Sequence, residues 1–264
     1  FIRLDLINIV KHSILVLLIS ITTQCNHFKI SNYTSENITI DEKLSTKSFN
    51  EINLKAYQDS INSEMDEVLN WAVKEMDVGS PEGLLGNFIA DLSLFTLNNL
   101  KKDSELKADF CILNNGGLRT PINKGPITRR KIFEVMPFEN ELVILKLNPK
   151  QLKMLIDFII EKSYESNSRK AGVPLSGIRL RISDNKITRG FINLTEIDNF
   201  KSYNVLTTDY LANGGDHMDF FKNCEDRTPT GILLRDAIIN YIKIINKTNT
   251  KVDAALDGRV EILQ

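Results

Sequence analysis

Cysteine, histidine and excess charge of either sign are what this sequence has least of. Its three cysteines, Cys25, Cys111 and Cys224, are an odd and sparse set, and no C-x-x-C spacing occurs. That excludes a disulfide framework and the common zinc and thiol-redox motifs. Of its three histidines, His12 and His27 precede the body of the chain and leave only His217 within it. A dinuclear hydrolase centre needs several His together with Asp, so no metal site is expected in this chain. A net charge of −1 provides no basic field for nucleic acid and no acidic one for a basic partner. Nor does any apolar run reach the roughly 20 residues of a membrane-spanning helix.

The apolar run that does occur, Ile14 to Leu18 extended by Ile19, Ser20 and Ile21, follows Lys11 and His12. Its length is that of a signal-peptide core. Cys25 stands where a bacterial lipoprotein carries its lipidated cysteine, although Gln24 and Thr22 replace the usual small residue and leucine. An ordinary cleaved signal peptide with an incidental cysteine is the alternative. Residues 1–25 therefore read as an export signal, with periplasmic or outer-membrane-associated location and membrane contact only through a lipid at Cys25. Residues 26–53 are rich in Ser, Thr, Asn and Lys without an apolar period, and read as a solvated tether.

Residues 54–264 read as one mixed α/β domain. The apolar spacing predicts helices over 55–77, 83–100, 148–163 and 230–247. Thr128 is placed to N-cap a short helix. Strands are expected at 109–113, 141–147, 178–182, 187–194, 203–208 and 259–263, with a turn at 173–177 and a hairpin turn at 184–186. The pair Gly86-Asn87 sits oddly in a helix, because glycine weakens one. Close packing against a neighbouring turn explains it best.

Two stretches dominate the pattern. C-I-L-N-N-G-G-L-R ends at Arg119, and D-Y-L-A-N-G-G-D ends at Asp216. Each runs from an apolar, strand-like segment into Gly-Gly flanked by Asn and a charged residue. Glycine lets a ligand approach the main chain closely, and α/β proteins bind ligands beyond strand ends. The two turns read as two walls of one site. Taken singly, Asn114 with Gly116 and Gly117 could be a structural turn, and Phe138 and Tyr210 core aromatics. Arg119 could equally be a surface ion-pair partner and Asp216 a turn-capping carboxylate. Cys111 and Cys224 read as structural thiols rather than nucleophiles.

Set side by side, these motifs resemble the C-terminal domain of 5′-nucleotidases. The pieces stand in family order: Leu85-Gly86-Asn87 with Ile89-Ala90-Asp91, then I-L-N-N-G-G-L-R, Gly125-Pro126-Ile127-Thr128, V-M-P-F-E-N ending at Asn140, Leu175-Ser176-Gly177, and Y-L-A-N-G-G-D. The resemblance implies an α/β/β/α sandwich that holds the nucleoside part of a substrate while a metallophosphatase domain hydrolyses it. It implies that Phe138 and Tyr210 sandwich a base and Asp216 binds the ribose hydroxyls. Asn114 would contact base or ribose, Arg119 would meet phosphate, and Gly116, Gly117 and Asn213 would complete the two turns. Residues 1–54 are too few for a metallophosphatase domain, so divalent metal is expected only in a separate partner chain. Ser80-Pro81-Glu82 also stands where catalytic relatives carry arginine, Tyr210 where Phe is more usual, and His217 where Gly is common. Three readings follow: the nucleotide-binding half of a split phosphoester hydrolase, a stand-alone nucleotide- or nucleoside-binding lipoprotein, or a degenerate domain kept for protein association.

Overall fold

The computed structural model describes residues 54–100, 106–165, 168–224 and 226–263. The stretches read as an export signal and a tether, Cys25 among them, lie outside the described residues. Among the described residues no helix is long and apolar enough to cross a membrane.

The architecture is set by strands whose two faces are both apolar. β4 (Glu141–Leu147) carries four consecutive buried residues, Leu142 to Leu145, the pattern of a strand covered on both sides. It lies second in a five-stranded sheet of order β10 (Arg227–Leu233), β4, β9 (Tyr203–Thr208), β2 (Phe110–Ile112), β5 (Leu175–Ser176). Side chains alternate across it. Cys111, Leu142, Ile144 and Leu206 face a helical layer formed by α2 (Leu84–Phe95) and α6 (Leu234–Lys247). Phe110, Ile112, Val143, Leu145 and Val205 face α4 (Pro149–Tyr164) and a second sheet, through Leu155, Ile159, Leu180 and Ile182. That second sheet has the order β11 (Val260–Ile262), β6 (Ile178–Ser183), β7 (Lys186–Ile192), β8 (Thr195–Glu196). The result is the layered α/β arrangement that the resemblance implies.

Local chemistry accounts for many boundaries. Thr128 accepts a hydrogen bond from the Lys131 amide and opens α3 (Arg129–Val135). Asn148 and Gln151 form a reciprocal capping box, with proline in the first turn of α4. Asp184 and Asn185 take φ of 49° and 57° between β6 and β7, as a tight hairpin requires. A Cβ on Gly86 would stand 3.1 Å from the Pro174 ring and 3.4 Å from the Asn115 amide oxygen, so the helix glycine admits a close neighbour.

Three expectations fail. The predicted helix over 55–77 stops early: α1 covers Leu54–Met65 and buries none of its residues. The chain then enters β1 (Val68–Ala72), antiparallel to β3 (Gly125–Thr128). Leu69, Ala72 and Met76 satisfy a helical period, yet the strand buries Leu69 and Ala72 and exposes Val68 and Trp71. Partner pairing decided the matter. The Asn70 amide also ties β1 to the end of α6 by donating to the Ile242 and Thr250 carbonyls. Similarly, the predicted helix over 230–247 begins only at Leu234, because 227–233 form the edge strand β10 beside β4. Finally, the expected turn at 173–177 contains the buried strand β5.

Candidate functional site

Topology explains why turns a hundred residues apart meet. β2 and β9 are parallel neighbours, with Phe110 opposite Val205 and Cys111 opposite Leu206, so their C-terminal ends open on the same sheet edge. β4 runs antiparallel to β9 with Leu142 opposite Thr208, which brings the segment just before β4 to that edge as well. That segment is Pro137 to Asn140.

Each wall is pinned from below. Asn115, 2% exposed, donates from its side-chain amide to the Gly79 carbonyl at 3.0 Å and the Ala171 carbonyl at 2.5 Å. This fixes the 3-10 turn Asn115–Gly117 beyond β2. On the opposite wall, Thr208 accepts from the Leu211 amide and caps α5 (Asp209–Ala212), the short helix that carries Tyr210. The Asp209 carboxylate accepts from the Asn140 amide at 3.0 Å, joining α5 to the Pro137–Asn140 loop. That loop is further held by Arg235, 7% exposed, which donates to the Pro137 and Phe138 carbonyls and to the Glu139 carboxylate. The same guanidinium stacks 4.3 Å from the Phe133 ring centroid.

Between these walls lies a cleft of about 610 Å³. Asn114, Gly116, Gly117, Arg119, Phe138, Tyr210 and Asp216, all singled out from sequence, line it. The Asp216 carboxylate is held there by two hydrogen bonds. Asn114 donates to one oxygen at 2.5 Å and the Tyr210 hydroxyl to the other at 3.1 Å. Asp216 itself has left-handed backbone, with φ of 48° and ψ of 38°, a conformation that Asp and Asn tolerate better than most residues. Phe138 and Tyr210 are 44% and 46% exposed, so each keeps ring surface available to a ligand. Burial, then the hydrogen bond and charge of Asp216, raise the Tyr210 hydroxyl above the ordinary phenol range. It therefore remains a donor at neutral pH.

Asn213 does not join this group: its side-chain oxygen accepts from Arg227 at 2.6 Å. Conversely, Lys170 and Thr208 line the cleft although nothing in the sequence marked them, and so does Glu139, which stood in the V-M-P-F-E-N motif without a role. Lys170 follows α4 in a polar stretch without any motif. Arg119 was marked by its motif, whereas this second cation is visible only once the chain is folded. Among the described residues no hydrogen bond or ion pair engages its ammonium, whereas Lys162 pairs with Glu165 and Arg169 with Asp77. Lys170 reaches Gly116 from one side, its Cε 3.6 Å from where a Cβ there would stand. The Arg119 guanidinium donates to the Gly116 carbonyl at 3.2 Å. Two cations thus flank one glycine. A smaller cavity of about 210 Å³ shares Asn114, Lys170 and Asp216 with the cleft.

The cysteines take no part. Burial drives the Cys111 thiol far above its usual range and pushes Cys224 up to about 11. Among the described residues no group of three or more His, Cys, Asp or Glu is placed to hold a metal ion. What the cleft presents is two aromatic faces, a carboxylate held by two hydrogen bonds, and two cations.

Comparison with known proteins places this site in context. The profile of the 5′-nucleotidase C-terminal domain matches residues 66–223. The chain is 28% identical over 222 residues to the trifunctional nucleotide phosphoesterase protein YfkN of Bacillus subtilis, a match covering 77% of this chain and 14% of that protein. It is 30% identical over 137 residues to a 5′-nucleotidase of Vibrio parahaemolyticus, covering 52% of this chain and 24% of that one. Its fold resembles the crystal structure of a 5′-nucleotidase precursor from Thermus thermophilus, at 27% identity and a TM-score of 0.66. That superposition covers 80% of this chain and 42% of the other. The chain thus spans less than half the length of each of these proteins.

Proposed function

The chain belongs to the 5′-nucleotidase C-terminal domain family, and on that premise we propose that its cleft binds the nucleoside part of a 5′-nucleotide for phosphoester hydrolysis. The observation that carries this reading is the convergence of Phe138, Tyr210, Asp216, Arg119 and Lys170 on one cleft. Two aromatic faces stack a base, worth roughly 1–3 kcal/mol per stacked base in nucleic-acid binders. The carboxylate accepts from the hydroxyls of a cis-diol. The guanidinium fork and the ammonium suit a phosphate, the first by geometry and the second as a point charge. The hydrolytic metal ions belong, in this reading, to a metallophosphatase unit on a partner chain, and the work of the protein is nucleotide catabolism. The sequence at Cys25 supports export with a lipid anchor in the cell envelope. Radiolabelled palmitate incorporation into wild type but not Cys25→Ala checks that part.

Calorimetric titration with AMP and adenosine tests the cleft. Micromolar binding by wild type, weakened about 10-fold or more in Phe138→Ala at unchanged melting temperature, is the expected result. No binding of either compound would sink the proposal and leave a domain kept for protein association. Mixing the chain with a metallophosphatase domain, divalent metal and AMP tests the catalytic half. Phosphate release should exceed that of the metallophosphatase alone. Binding without such a gain would identify a stand-alone nucleotide binder instead.

A further inference from the structure

The geometry points to the Tyr210 hydroxyl as a positioning group. We infer that, with the Asn114 amide, it sets the Asp216 carboxylate to accept both hydroxyls of a ribose, so that the cleft selects ribonucleotides over 2′-deoxyribonucleotides. This rests on the nucleotide reading above and deepens it.

The argument is a count of acceptor sites. An ionised carboxylate offers about four lone-pair sites, two on each oxygen. Asn114 fills one on Oδ2 at 2.5 Å and Tyr210 one on Oδ1 at 3.1 Å. Each oxygen therefore keeps one open site, and the carboxylate lines the cleft. Two acceptors side by side on one rigid group match the two neighbouring hydroxyls of a ribose. A 2′-deoxyribose can satisfy only one and leaves the other acceptor without a partner, which is costly where water is excluded.

Three features keep the hydroxyl where it is. Asp216 and His217 both sit at left-handed φ, 48° and 67°, so the carboxylate leaves the backbone in a fixed direction. The Tyr210 ring lies directly on the main chain of Gly215, where a Cβ would overlap the ring carbon Cε1. The phenol also keeps its proton at neutral pH, because burial and Asp216 both favour the neutral form. A phenylalanine at 210 would keep the stacking face but release one carboxylate oxygen and free the group to rotate. Tyr210 thus couples the base wall to the group that reads the sugar.

Calorimetric titration of AMP and 2′-deoxy-AMP into the wild-type chain, Tyr210→Phe and Asp216→Asn tests this. Wild type should bind AMP about tenfold more tightly than its deoxy counterpart. Tyr210→Phe should narrow the ratio to within about threefold by weakening AMP alone, since the ring that stacks is retained. Asp216→Asn should bring the ratio close to one. The ratio is read within each variant, so a lowered folded fraction does not obscure it. Equal binding of the two nucleotides by wild type overturns the inference and leaves the nucleotide reading standing. So does a Tyr210→Phe ratio that stays at the wild-type value, including a uniform loss of both affinities. Failure of wild type to bind either nucleotide overturns the reading and the inference together.

Discussion

At the residue scale, the two cations of the cleft are separable from its aromatic walls. Lys170 and Arg119 are exposed side chains beside Gly116, and neither supports the core. Removing either should leave folding intact and act only on a ligand that carries phosphate. Lys170→Ala is expected to weaken AMP about three- to tenfold, with adenosine unchanged and the AMP loss shrinking as salt rises, because an exposed charge contact is screened. Titration of both ligands at low and high ionic strength checks it. Arg119→Lys should lose affinity too, since an ammonium cannot offer the bidentate fork. Equal losses for AMP and adenosine would show that Lys170 supports the turn rather than the phosphate.

At the element scale, the site depends on how tightly its two turns approach. A Cβ on Gly116 would stand 3.2 Å from an Asp216 carboxylate oxygen, and one on Gly215 would enter the Tyr210 ring. Because the ring is half-exposed, Gly215→Ala should displace it rather than open a core. The expected result is a loss of about 1–3 kcal/mol in stability from local overpacking together with a marked fall in nucleoside affinity. Denaturant melts and a titration measure the two. Unchanged affinity would mean that Tyr210 does not need its seat on Gly215. The Pro137–Asn140 loop has a different anchor, the buried Arg235 of α6. A long helix far along the chain thereby positions Phe138.

At the scale of the molecule, one buried cation ties the layers together. Arg259, 8% exposed, forms a two-point pair with Asp91 of α2 at 2.8 and 2.9 Å, reaches Asp257 at 2.8 Å and donates to the Leu175 carbonyl of β5. It links the helical layer, the edge of the central sheet and the start of β11. Arg259→Met should destabilise the domain by about 2–4 kcal/mol, less than a wholly buried pair because the carboxylates keep contact with water. The cost is measurable by urea denaturation. Within this network burial pushes the Asp257 carboxyl up, but Arg259 and Arg179 outweigh it and hold it below 3.8. Its contribution is therefore present above pH 3.8 and lost as pH falls through the lowered value. Acid titration of Asp257→Asn should lack that component.

Sequence alone determined what local chemistry controls. Thr128 announced its helix through a side-chain cap, Asp184-Asn185 announced a hairpin, and the two Gly-Gly turns announced the two walls that line one cleft. Seven of the residues singled out line one cleft because their motifs lie at strand ends. Tertiary structure decided what depends on a partner. The segment 68–72 fits a helical period, and only β3 beside it makes it a strand. Likewise, 227–233 became a strand through pairing with β4. Asn213 carries the same motif as its neighbours but turns to Arg227, and Lys170 carries none yet lines the cleft. Spacing along a chain encodes which face a side chain takes within its own element. Which element lies opposite is fixed only by packing.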